Sequence, residues 1–340
     1  MKKSLYNVCV VGVGAVGIEM LRVLKQRDFP VGNLRVFARS ARNIEVDGYT
    51  YSVEAVSPEG FEGIDIALFA GTEGEKGAAV TYAPEAIARG VVVIDNGADF
   101  RMDPQVPLVV PEVNASDIKK HKGIIANPNC STIQMVAALW PIYKKAGIKR
   151  VVVTTLQAAS GAGKGAVEQL KEEIHLIAQG GFRNLQVNAQ EKSMPQQLGC
   201  NVFPHIGGFV EDDYTSEEWK LVRETHKIMH DDKIKISATT VRVPVRTGHS
   251  ESIYIETEKT ISPDKVKELF LESPGIIVMD EPKDSLYPMP KDTEGKDEVF
   301  IGRIRRDPFV ENGLWLWVVA DNLRKGAATN AVQIAEALIK

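Results

Sequence analysis

Asn7-Val8-Cys9-Val10-Val11-Gly12-Val13-Gly14-Ala15-Val16-Gly17 is the stretch whose reading decides the fold. Residues 7–13 have the apolar pattern of a short buried strand. The end of that strand overlaps the glycine turn, and a helical run continues through residue 24. Strand, glycine turn and helix in this order present backbone N–H groups and a helix N-terminus to a pyrophosphate. The first two glycines allow a tight turn and close approach of the phosphate, and the third allows the helix to pack against the strand. A dinucleotide site is expected at Gly12, Gly14, Ala15, Val16 and Gly17.

The next strand, residues 34–38, ends where NAD-preferring folds usually carry an acidic residue for the ribose 2′-hydroxyl. Here the sequence reads Arg39-Ser40-Ala41-Arg42. A guanidinium donates two parallel charge-assisted hydrogen bonds to a phosphate, so Arg39, Ser40 and Arg42 favour NADP over NAD; the other reading is a solvated basic loop. Residues 65–70 and 91–95 are further buried strands, with a helical stretch around 84–89 between them, continuing the alternation of a parallel sheet. Loops at the carboxyl ends of such strands line the ligand crevice. Thr72 is therefore a candidate cofactor contact and residues 96–101 a candidate substrate loop, in which Arg101 is either an anion ligand or a surface charge.

A strand-like run at 123–126 leads into Asn127-Pro128-Asn129-Cys130-Ser131-Thr132, and an apolar-periodic helix is expected from near Ile133. Cys130 thus falls where a helix begins. Unpaired N–H groups and the positive end of the helix dipole stabilise a thiolate there, although a lone cysteine is more often a small buried hydrophobe. Pro141 is expected to kink or end that helix. Beyond it, residues 150–156, 234–243, 250–256, 299–305 and 314–320 read as strands, with helices at 164–178, 216–229 and 263–271. Residues 288–292 read as an exposed loop. The expected fold class is α/β: an N-terminal Rossmann-type dinucleotide-binding domain and a second α+β domain with a mixed, largely antiparallel sheet. Domain bounds of 1–129 and 130–322 follow. The alanine-rich helix at 323–340 is expected to pack back on the first domain.

At 340 residues the chain exceeds the usual single-core size, which favours two domains. A net charge of -4 supplies no basic footprint for nucleic acid, and small-molecule chemistry is favoured. Three scattered cysteines make no disulfide framework and no CxxC zinc pair, so a reducing cytoplasm is expected. No apolar run approaches membrane-spanning length, and the first residues lead into a strand without a signal-like apolar core. Neither secretion nor a membrane partner is expected.

A nicotinamide cofactor together with a cysteine thiolate suggests aldehyde oxidation through a hemithioacetal and a thioester. Such chemistry needs an acid/base. His249, in RVPVRTGHS at 242–250, is expected at a strand rim, where a near-neutral pKa is useful; a structural or exposed histidine is equally open. His226 and His230 lie four apart on a charged helix, but no third ligand accompanies them. They read as a solvated face, and no metal is expected.

The combined motifs carry a resemblance. The glycine turn, VVIDN ending at Asn96, FRMD from Phe100, NPNCST, QAASGAG, EEWK at 217–220, RVPV…H at 242–249, GRIRRD and DNLRKGAA resemble the aspartate-semialdehyde dehydrogenase family along essentially the whole chain. The resemblance implies that Cys130 is the nucleophile, His249 the acid/base and Gln157 the residue that orients the covalent adduct. It places Arg242 on the substrate α-carboxylate and Glu217 on its α-amino group, and Asn129, Arg101 and Lys220 on the phosphate or acyl phosphate. Ser160, Gly161 and Asn322 fall to the cofactor. It also implies NADPH-dependent conversion of aspartyl phosphate to aspartate semialdehyde and phosphate in aspartate-family amino-acid biosynthesis, and a catalytic second domain that forms a homodimer. One departure stands out: many members read DNSSAFRMD where this chain has DNGADFRMD. Asp99-Phe100-Arg101 is also reminiscent of N-acetyl-glutamyl-phosphate reductase, the rival within the same chemistry. A catalytically silent dimeric member is the rival outside it.

Overall fold

The computed structural model describes residues 3–71, 77–180 and 193–340. The chain divides into two compact units. The first comprises Met1–Asn129, Lys227–Met229 and Gly326–Lys340; the second comprises Cys130–His226 and His230–Lys325.

In the first unit β1 (Tyr6–Val11), α1 (Ala15–Gln26), β2 (Val31–Ala38), β3 (Arg42–Val46), β4 (Tyr49–Ala55), β5 (Ile66–Phe69), α2 (Ala78–Ala88), β6 (Val92–Asp95), a short α3 (Pro111–Asn114) and β7 (Ile124–Ala126) follow one another. The sheet order is β3-β4-β2-β1-β5-β6-β7, parallel except for the β3/β4 pair. Successive strands leave β1 in opposite directions, so the topological switch point lies between β1 and β5, where the Gly12 turn follows β1. At Gly17 an added Cβ would lie 1.9 Å from the Gly12 carbonyl oxygen; at Gly14 it would meet nothing within 4 Å. The turn therefore depends sterically on its third glycine.

Several sequence expectations are corrected in this unit. The β3/β4 hairpin was not foreseen, although its Asp47-Gly48 turn, with φ of 50° and 79°, is the pairing that two-residue hairpins favour. Arg42 accordingly begins a strand. The helix expected around 84–89 starts at Ala78 and runs through Pro84.

The second unit contains α4 (Cys130–Ala146), β8 (Ile148–Gln157), α5 (Lys164–Ala178), α6 (Ser216–Met229, whose last residues count with the first unit), β9 (Lys235–Arg242), β10 (His249–Thr257), α7 (Pro263–Leu271), β11 (Ile276–Val278), a short α8 (Pro290–Thr293), β12 (Val299–Arg306) and β13 (Gly313–Ala320). Its sheet order is β11-β12-β13-β10-β8-β9, with parallel pairs at both edges and antiparallel pairs between them. Helix α4 starts at Cys130, three residues before the expected start, and continues through Pro141 instead of ending there. Leu139, Pro141 and Ile142 are all buried, and this burial on both sides of the proline outweighs one missing backbone bond. Residues 288–292 are not an exposed loop: Pro288 is buried, α8 begins at Pro290, and Pro290 packs against Gly248.

Helix α9 (Thr329–Ile339), preceded by a π-helical turn at Arg324–Ala328, belongs to the first unit. Val332, Ile334 and Ala335 join Val8, Val10, Met20 and Leu21 in one apolar core. The fully buried Asn330 donates from Nδ2 to Val109 O at 2.9 Å and to Asn127 Oδ1 at 2.6 Å.

The glycine geometry has a measurable consequence. Gly17→Ala forces the turn and α1 apart and is expected to cost about 1–3 kcal/mol or more of stability, whereas Gly14→Ala, with a free Cβ position, should leave the thermal midpoint unchanged. Thermal unfolding of the two variants checks this; equal midpoints would refute it.

Candidate active site

Cys130, half-buried, is the first residue of α4, at the positive end of the helix dipole. The side chains around it come from the ends of three adjacent strands. Gln157 closes β8 and Arg242 closes β9, and the two are register partners. His249 opens β10, where Ser250 pairs with Leu156, so the same register carried one residue further sets His249 opposite Gln157. Paired residues share a face, and Arg242, Gln157 and His249 form one row across the end of the sheet. Their exposures are 4%, 1% and 0%, so every polar atom in the row is desolvated.

Hydrogen bonds hold this row. Gln157 Nε2 donates to Ser131 Oγ at 2.6 Å and to Glu217 Oε1 at 3.2 Å, which joins the residue after Cys130 to the first turn of α6. Helix α6 is started by a capping box between Thr215 and Glu218. Lys220 Nζ lies 3.5 Å from Glu217 Oε2, and Glu217 is itself buried. The backbone of Ala158 serves two side chains. Its carbonyl accepts from Arg242 Nη1 at 2.7 Å, and its N–H donates to His249 Nδ1 at 3.1 Å.

These contacts determine the charge states. Burial lowers the Arg242 pKa, while Cys130 and Glu217 act in the opposite direction. Burial, reinforced by the Arg242 charge and opposed by a backbone hydrogen bond at Gly248, pushes His249 down to about 3. The ring is therefore neutral. Because Nδ1 accepts from Ala158, its proton is assigned to Nε2, which has no hydrogen-bond partner among the described residues. The rim position expected for His249 is thus corrected to a fully buried one, because α4 and the neighbouring strands cover the start of β10.

Gly161 stands at the edge of the imidazole, where a Cβ would lie 3.0 Å from His249 Nε2. Asn322 Oδ1 accepts from Gly248 N–H at 2.9 Å, and Asn322 Nδ2 donates to Ser160 Oγ at 2.9 Å. Ser160, Gly161 and Asn322, expected on the cofactor, are thereby gathered around the residues that carry His249.

In the first unit Gly14 caps α1 without a side-chain hydrogen bond, and Gly14 and Ala15 are exposed. The N–H groups of the first turn, including that of Val16, are thus open to an anion, and the close Gly12/Gly17 approach fits a pyrophosphate cradle. Arg39, Ser40 and Arg42 are exposed beyond the end of β2, with Arg42 Nη1 3.3 Å from Ser40 Oγ. Arg101 is buried and donates from Nη2 to Asn96 O at 2.7 Å; Asn129 is also buried. Thr72 lies outside the described residues.

The structure thus brings Cys130, Gln157, Glu217, Lys220, Arg242 and His249 into one connected cluster in the second unit. His226 Nε2 lies 2.8 Å from Ile234 O, and His230 ends α6 in a left-handed conformation. Two participants escaped the sequence reading. Ser131 was legible as the neighbour of Cys130, but the Ala158 peptide group leaves no trace in side-chain chemistry.

Two family models match the chain: "Semialdehyde dehydrogenase, NAD binding domain" over residues 7–121 and "Semialdehyde dehydrogenase, dimerisation domain" over residues 139–325. An aspartate-semialdehyde dehydrogenase of Aquifex aeolicus (strain VF5) is 55% identical, covering 98% of each chain. The crystal structure of aspartate semialdehyde dehydrogenase II of Vibrio cholerae complexed with ASA has a TM-score of 0.92 at 42% identity over 99% of each chain. That of the Candida albicans enzyme with NADP has a TM-score of 0.74 at 26% identity over 98% of each. This chain belongs to the aspartate-semialdehyde dehydrogenase family.

Proposed function

We propose that this protein is an NADP-dependent aspartate-semialdehyde dehydrogenase that interconverts aspartyl phosphate with aspartate semialdehyde and phosphate through a thioester on Cys130. The observation that carries the reading is the buried Arg242–Gln157–His249 row beside a helix-start cysteine, joined through Gln157 to Glu217. The first unit binds the dinucleotide, and the second carries the chemistry and self-association. When bound, the nicotinamide supplies or accepts a hydride.

The chain's own residues do the rest. The Cys130 thiolate attacks the acyl-phosphate carbon; a C–S bond forms, the C–O bond to phosphorus breaks, and phosphate leaves. The Nε2–H of His249, which has no partner among the described residues, is the donor for the oxygen on which negative charge grows, while Gln157, held by Ser131 and Glu217, orients the covalent adduct. A neutral donor in a water-excluded site stabilises that charge strongly. The expected acid/base role of His249 therefore begins with donation from Nε2, and accepting a proton at Nδ1 requires release of the Ala158 N–H.

Arg242 takes the α-carboxylate, and the buried carboxylate of Glu217 suits a free α-ammonium. An N-acetylated amine brings no charge to Glu217, which disfavours the N-acetyl-glutamyl-phosphate rival. Arg101, Asn129 and Lys220 bind the phosphate, with Gly97 and Ala98 standing where many relatives have serines. Ser160, Gly161 and Asn322 approach the nicotinamide. The half-buried Trp315 and Trp317, alternating with the buried Leu316 and Val318, support a homodimer through the opposite sheet face. Cys9, Cys130 and Cys200 form no disulfide, which suits a reducing cytoplasm. Among the described residues no helix is long and apolar enough to cross a membrane.

The decisive experiment measures phosphate-dependent reduction of NADP with L-aspartate semialdehyde beside N-acetyl-glutamate semialdehyde. Activity on the first and little on the second is expected. Cys130→Ala should abolish turnover and leave NADP binding intact; a preference for the N-acetylated aldehyde, or an active variant, would overturn the reading.

For the cofactor, replacing Arg39 and Arg42 by alanine should weaken NADP far more than NAD, by about 1.5–3 kcal/mol for each lost charge-assisted contact. Titration of both dinucleotides measures this, and equal losses would exclude recognition of the 2′-phosphate by these arginines.

His249 gives a pH dependence of defined sign. Its folded pKa of about 3 lies below the ordinary 6.5, so the unfolded chain binds the extra proton between those values and stability is lost as pH falls. His249→Gln should therefore remove an acid slope of about 1.4 kcal/mol per pH unit below roughly pH 6. Urea midpoints of both proteins from pH 7 to 4 test it; parallel curves would mean that His249 titrates normally.

A further inference from the structure

Two residues along the strands from the Arg242–Gln157–His249 row, on the same face, lies a second polar row: Thr240, Thr155 and Glu251, register partners across β9, β8 and β10 and each 0% exposed. Helix α4 packs over β8 and β10 and brings Gln134, also 0% exposed, onto Glu251. Gln134 is one helical turn beyond Cys130, and its Nε2 reaches towards His249 O at 3.4 Å. Four atoms of this cluster have no hydrogen-bond partner among the described residues: both Glu251 carboxyl oxygens, Gln134 Oε1 and Thr155 Oγ1. Buried polar atoms are rarely left so, and a buried carboxylate needs a cation. The described residues give Glu251 no ion pair, and burial raises its pKa well above the ordinary value, opposed only by Gln134.

A proton on Glu251 pairs two of them and removes the buried charge. A neutral Glu251 donates to Gln134 Oε1, and the Gln134 amide N–H remains on the His249 carbonyl. We propose that Glu251 is a positioning residue for the reaction at Cys130: as an uncharged acid it locks Gln134 onto the His249 carbonyl and so sets the first turns of α4 against the start of β10. Cys130 and the His249 imidazole are carried by those two segments. The inference rests on the proposed reaction for its kinetic arm only.

The test compares Glu251→Gln and Glu251→Leu in the full-length protein. Leucine fills the space and removes the buried acid, so the thermal midpoint should hold or rise while kcat falls about 10-fold, the equivalent of one lost hydrogen bond, with KM for aspartate semialdehyde unchanged. Glutamine, a neutral donor of the same shape, should restore most of kcat. Infrared difference spectra should show the C=O stretch of a protonated carboxylic acid at neutral pH in the wild type, absent from the glutamine variant whether or not the leucine variant folds. A wild-type kcat in the leucine variant, a glutamine variant as impaired as leucine, or no such band would overturn the proposal. Absence of wild-type turnover with aspartate semialdehyde would instead overturn the reaction and leave the infrared result to decide the charge state of Glu251.

Discussion

Desolvation at the end of the second sheet is the constraint on which the site depends. Arg242, Gln157 and His249 are polar groups on adjacent strands with almost no access to water, and each must find a partner inside the protein. The Ala158 backbone meets part of that demand, through its N–H to His249 and its C=O to Arg242. The consequence is chemical as well as structural: the N–H decides which histidine nitrogen carries the proton, and burial keeps the ring neutral. In the proposed reaction this low-dielectric row lies beside Cys130, where an uncharged donor acts most strongly on developing charge.

A steric constraint plays the corresponding part in the first unit. Gly12 and Gly17 approach so closely that no side chain fits at the second of them, and this approach sets α1 directly over the carboxyl end of β1. The open first turn of α1 at Gly14 and Ala15 follows from the same geometry. The C-terminal helix α9 completes the core and is tied to β7's end through Asn330 and Asn127. A turn of few residues thus leaves helix-start N–H groups open to solvent, while residues far along the chain supply the packing behind it.

Much of the site was legible because its motifs combine unusual residue types at short spacing. Cys130 at a helix start, the Arg39-Ser40-Arg42 cluster and the Glu217/Lys220 spacing are local facts. The errors have a common source in local rules meeting tertiary packing. Pro141 lacks one backbone hydrogen bond, but the buried residues flanking it hold α4 together. The segment around Pro288 and Pro290 has loop composition, yet it packs under Gly248. His249 looked like a rim residue because glycine and proline precede it, while its burial comes from α4, more than a hundred positions earlier in the chain.

By itself the sequence determined the two kinds of sheet, the glycine turn, the cysteine at a helix start and the family to which the chain belongs, since each is encoded by periodicity or by residues a few positions apart. Only the tertiary structure decided the register that lines up Arg242, Gln157 and His249, the tautomer that Ala158 imposes, and the second buried row at Thr155 and Glu251. Those depend on which backbone groups and side chains of distant segments come within hydrogen-bond distance once water is excluded. No local pattern encodes that distance, because a one-residue slip of β8 against β10 would keep every motif intact and turn Gln157 and Thr155 to the opposite face from their partners.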